Sequence, residues 1–122
     1  MNHFLYPRIS DARRATVQYG NVATQTLLRL FLATGSRLED LEAQILGGAA
    51  PGMDGSTTAD IARQNVHVAR QVMERKGISI VSEDVGGTKG RKVIYNSQTN
   101  ELIIVRVERL RQSDWYPYEG ER

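Results

Sequence analysis

Hydrophobic positions along this chain fall into two helical and four strand-like stretches. Residues 20–35 predict the first helix. Val22, Leu27, Leu30 and Phe31 approximate one stripe, and Ala23, Leu28 and Leu32 widen it. Asn21 reads as the N-cap, Gly35 as the C′ residue and Arg29 as a solvated edge. Residues 38–49 predict a strand, with Leu41, Ala43 and Ile45 alternating with Glu42, Gln44 and Leu46 until Gly47-Gly48 ends it. A helix competes there, because Leu38, Leu41 and Ile45 also fit helical spacing. Pro51, Gly52 and Gly55 make residues 49–58 a surface linker. The second helix is expected over 59–76. Ile61, Asn65, Val68 and Val72 form its stripe, Ala62, Val66, Ala69 and Met73 flank it, and Gly77 stops it. Strands follow at 78–82, 91–95 and 102–107, the last two joined by the hairpin loop Asn96 to Asn100. This order implies an α/β or α+β fold with an antiparallel hairpin near its C-terminal end.

Three stretches fit no simple period. Met1 to Tyr6 is apolar and aromatic at once, and reads as the last turn of a buried strand ended by Pro7. Ile9 to Gln18 reads as loop. The corner Gly86-Gly87-Thr88-Lys89-Gly90, followed by Arg91 and Lys92, is expected to be a structural hairpin corner between the strands at 78–82 and 91–95. Backbone N–H groups of such a loop could instead cradle a phosphate, but the Walker spacing is missing.

Length and charge narrow the function classes. The 122 residues make one domain of ordinary composition. A net charge of +2 is a weak footprint for nucleic acid, even with Arg91, Lys92, Arg106, Arg109 and Arg111 available as contacts. The sequence has no cysteine, which excludes thiolate metal sites and cysteine nucleophiles within it. No apolar run is long enough to span a membrane and no leader pattern is seen, so a cytoplasmic protein is the default expectation. Candidate chemistry is sparse. Glu39 and Asp40 read as solvated carboxylates, and His67 as a solvated histidine. Asn65, on the apolar side of its helix, must find partners and is expected to bond a backbone loop. Two histidines assemble no metal site, and no cofactor is expected.

Several short motifs, taken in order, resemble the CheD family of chemoreceptor glutamine deamidases. They are His3-Phe4-Leu5-Tyr6-Pro7, then Leu41 to Ala49, Ala62-Arg63-Gln64-Asn65-Val66, Gly77-Ile78, Glu83 to Gly87, and Gly90-Arg91-Lys92-Val93. The resemblance covers about residues 2–107, so residues 1–107 are taken as the family domain and residues 108–122 as a polar and aromatic tail. It implies layered β-sheets with helices packed outside, related to cysteine-hydrolase folds. It also implies hydrolysis of receptor glutamine amides by a cysteine nucleophile, a histidine base and an orienting threonine. The implied partners are the cytoplasmic region of a bacterial chemoreceptor and a CheC-type phosphatase.

His3 is the position this resemblance identifies as catalytic. The family's cysteine and threonine are expected upstream of it, together with N-terminal strands that this chain lacks. Without a nucleophile, turnover typically falls about a million-fold. Ser10 and Thr16 are the substitutes to weigh. Non-catalytic binding of receptor or regulator is the alternative, and an open sheet edge would favour pairing with a partner or a second copy.

Overall fold

The computed structural model describes residues 1–50, 52 and 57–108. Its elements run α1 (Gly20–Ala33), β1 (Glu42–Gly47), α2 (Thr57–Lys76), β2 (Ser79–Val85), β3 (Gly90–Asn96) and β4 (Glu101–Val107). Two helices and two small sheets make the mixed α/β architecture expected. The tail from residue 109 and half of the expected linker lie outside the described residues.

Strand β1 takes the strand reading over the helical one from residue 42 onward, whereas Leu38–Asp40 forms a single 3-10 turn. β1 pairs with β2 in parallel, and α2 makes the crossover between them. The register slips between Ala43 and Gln44, which leaves Val81 without an opposite residue. That bulge turns Val81 outward, 53% exposed, while Ile80 joins the packing below. β3 and β4 form a separate antiparallel hairpin, from Gly90 opposite Val107 to Asn96 opposite Glu101.

The expected hairpin corner is therefore corrected. β2 pairs with β1 and not with β3, so Gly86 and Gly87 carry the chain from one sheet to the other. Both adopt left-handed backbone, at φ +74° and +73°, which is where glycine is needed.

The core gathers Leu28 of α1, Val68, Val72 and Met73 of α2, and Ile78, with Leu38, Leu41, Ala43 and Ile80 packed against it. The stripe expected on α1 is rotated. Ala23, Thr24 and Leu28 are buried, whereas Leu30 is 60% exposed. The helix is apolar around most of its girth, so spacing alone could not say which side meets α2. Its N-cap is Tyr19 and not Asn21, which already lies inside the helix. Gly35 follows the helix at φ +96°, as a C′ glycine does. The α2 stripe is close to the expected one, and Gly77 ends that helix at φ +68°.

Candidate active site

The N-terminal segment is held by polar contacts rather than by a sheet. The buried strand end expected over residues 1–6 reduces to one isolated bridge, Tyr6 with Tyr19. Around it the Leu5 and Tyr6 amides both donate to the Gln18 carbonyl, at 2.8 and 3.0 Å. The Gly20 amide donates to Tyr6 O at 2.7 Å and the Asn21 amide to Pro7 O at 3.1 Å. Pro7 offers only its carbonyl, so the pairing stops there. The first turn of α1 thus spends two of its otherwise orphaned N–H groups on this segment. Asn21 does the rest: its Nδ2 donates to Ile9 O at 2.9 Å and its Oδ1 accepts from Ile9 N at 3.2 Å. This side chain ties down the loop and does not cap the helix.

Phe4 and Gly20 fit together without a spare atom. A Cβ on Gly20 would lie 2.6 Å from Phe4 Cε2. From α2, sixty positions away in sequence, Asn65 Nδ2 donates to the Leu5 carbonyl at 3.1 Å. The expectation that Asn65 bonds a backbone loop is met, and the loop is the one bearing His3.

His3 lines a cavity of about 240 Å³ with Asn2, Val17, Thr26, Leu27 and Leu30. α1 supplies half of its lining, Ala23, Thr26, Leu27 and Leu30, which gives Leu27 and Leu30 a place outside the core cluster. Ser10 and Thr16 are not on this wall. Thr16 Oγ1 instead accepts from the Gln18 amide at 3.4 Å. Thr26 is the hydroxyl residue that does line the cavity. Sequence reasoning passed over it because nothing distinguishes a threonine inside an apolar helix until the wall is built. A histidine beside an apolar-walled hollow can accept and return a proton. A nucleophilic thiol is not among these 122 residues.

A second polar cluster surrounds the glycine corner. Arg91 is 4% exposed, and its guanidinium donates to Gly86 O at 2.6 Å, Lys89 O at 2.9 Å and Asp84 Oδ1 at 3.1 Å. Asp84 also accepts from Arg106 Nη2 at 2.5 Å. The Arg106 and Arg91 hydrogen bonds hold the Asp84 carboxyl below the usual carboxylate range. Beside it Arg70 of α2 pairs with Glu83 through two hydrogen bonds, at 2.9 and 2.6 Å, and lowers that carboxyl's pKa in turn. The cluster binds α2, both sheets and the corner together. It uses up charge that the phosphate and nucleic-acid readings required. Lys89 faces Glu108 at 3.8 Å, and Arg109 and Arg111 fall outside the described residues. Glu39 and Asp40 are exposed and pair with Arg37, as solvated carboxylates do. Among the described residues no three His, Asp or Glu side chains gather to hold a metal. No helix among them is long and apolar enough to cross a membrane.

Comparison with known proteins converges on one family. Residues 7–106 match the family described as CheD chemotactic sensory transduction. A probable chemoreceptor glutamine deamidase CheD of Trichlorobacter lovleyi is 37% identical over 106 residues, covering 87% of this chain and 66% of the relative. The protein of the same name from Sulfurimonas denitrificans is 30% identical over 110 residues, covering 89% of this chain and 70% of the relative. That from Stenotrophomonas maltophilia is 28% identical over 114 residues, covering 93% of this chain and 57% of the relative. The chain thus spans between 57% and 70% of the length of these curated relatives.

Proposed function

The chain belongs to the CheD family, and from that membership we propose that it serves chemoreceptor glutamine deamidation, with His3 as the proton-transferring base. The family match, over residues 7–106, carries the deamidation reading; His3 precedes it, and its role rests on the sequence resemblance. The cavity beside His3 supports it, because a glutamine side chain needs a hollow next to the base.

The proposed chemistry needs a thiol from outside these 122 residues. A thiolate adds to the glutamine carboxamide carbon. The imidazolium returns its proton to the departing nitrogen, and ammonia leaves a thioester. Water, deprotonated by the same imidazole, then cleaves the thioester to glutamate and regenerates the thiol. The partner is the cytoplasmic region of a chemoreceptor, and the protein acts in the cytoplasm.

The test is ammonia release, with a glutamine-to-glutamate mass change, on a receptor cytoplasmic fragment. The 122 residues alone are expected to release none. Joined to a cysteine-bearing segment of family sequence ahead of Met1, they are expected to release ammonia in a His3-dependent manner. Release by the unjoined chain would overturn the thiol requirement.

The lack of any cysteine favours one further reading, in which the chain binds receptor or a CheC-type regulator without turnover. The hairpin leaves Ile94, Ile103 and Val105 about half exposed on one face, which also favours self-association. A one-to-one complex unchanged by His3→Ala would support binding alone, and no complex with either partner would exclude it.

A further inference from the structure

We infer that Asn65 is a positioning residue for His3. It acts from α2 through the Leu5 carbonyl and fixes the segment that carries the imidazole. The inference rests on the reading of His3 as the base.

The Leu5 peptide is held on both sides. Its N–H donates to Gln18 O at 2.8 Å, and its carbonyl accepts from Asn65 Nδ2 at 3.1 Å. Phe4, between Leu5 and His3, is closed in by Gly20. His3 therefore stands two residues from a peptide anchored to α2 on one side and to the stretch leading into α1 on the other. Asn65 adds a contact from α2 to those the Gln18–Asn21 stretch makes with this segment.

The chemistry of Asn65 itself points the same way. Its Oδ1 is buried without a hydrogen-bond partner. A buried unpaired amide oxygen is unfavourable, so packing alone would favour an aliphatic residue here. What the asparagine adds is the donor on Leu5. The reversed amide would set oxygen against oxygen, so one orientation fits. Asn65 belongs to a short run, Ala62 to Val66, in which Ala62 is core and Arg63 pairs with Asp60 at the surface. Within that run it is the side chain that reaches the N-terminal segment.

The chain's two histidines provide an internal comparison. His67 is exposed, two positions from Asn65 on the same helix. In the isotope-labelled 122-residue chain, nuclear Overhauser contacts are expected between the Asn65 side-chain amide protons and the Leu5 and Tyr6 amide protons. Asn65→Asp keeps the shape and removes the donor. It is expected to shift and broaden the His3 ring signals while those of His67 stay in place. Missing Overhauser contacts in the unaltered chain would overturn the inference, as would unmoved His3 signals in a folded variant. If the variant unfolds, the contacts in the unaltered chain decide. None of these readouts depends on turnover, so failure of the deamidation reading and failure of the clamp are separable.

Discussion

Gly48 shows how little room single positions have where β1 leaves the sheet. Its φ is +72°, and a Cβ there would meet Val66 Cγ2 at 2.6 Å and the backbone oxygen of Ala62 at 3.1 Å. The valine methyl could turn aside, but the helix carbonyl could not. Gly48→Ala combines left-handed strain with overpacking, and is expected to destabilise by about 2 kcal/mol or more. Gly52→Ala is the useful comparison, because φ +118° strains it while no atom of the described residues lies within 4 Å. Thermal melts should show a smaller loss for it. Val68, 1% exposed, fills the centre of the core. Val68→Ala removes two methyl groups, and denaturant unfolding should register about 2 kcal/mol lost. Residues such as these were legible as glycine stops and apolar stripe. Asn21 was not: as a short polar residue at a helix start it fitted an N-cap, and only the path of residues 5–9 shows that its amide is spent on Ile9.

At the scale of elements, Asp84 and Arg91 join what the backbone leaves separate. The two sheets share no ladder, yet Asp84 of β2 binds Arg91 of β3 and Arg106 of β4. The two arginines differ in burial, at 4% and 60% exposed. Arg91→Ala removes the donor to the Gly86 and Lys89 carbonyls and leaves Asp84 with Arg106 alone, whereas Arg106→Ala leaves Asp84 paired with the buried Arg91 and both carbonyls satisfied. The first should lower the melting temperature much more than the second.

The depressed pKa values of Asp84 and Glu83 add an acid limb to stability. Their contribution is complete above the unfolded carboxylate range, at about pH 4. It is lost as pH falls through the lower folded values, because the unfolded chain then binds more protons. Melting temperature measured from pH 7 to pH 2 should fall, and Asp84→Asn should flatten the fall.

Element types and order were readable from periodicity. The partners of β2 were not, because a parallel partner arrives through a twenty-residue helix and leaves no local sign. The glycine corner misled for that reason: it resembles a hairpin turn, and its role depends on an arginine folding back over it.

For the molecule as a whole, most exposed large apolar side chains among the described residues lie on the N-terminal segment, the C-terminal half of α1 and the hairpin. Ile94 and Ile103 are directly opposed and Val105 lies two residues on, so the three share a face. Sedimentation of the 122-residue chain is expected to show association that grows with concentration and weakens in Ile103→Lys. A monomer at every concentration would contradict it.

His3 was legible only through resemblance. Half of its cavity lining comes from distant α1 positions that no local pattern links to it. The central claim is that His3 serves as the base once a thiol is supplied, and one assay tests it most directly. Ammonia release from a receptor cytoplasmic fragment is measured for the chain joined to a cysteine-bearing family segment, with and without His3→Ala. Release that falls at least about a hundredfold in the variant is the predicted result. Equal release from both would contradict the account.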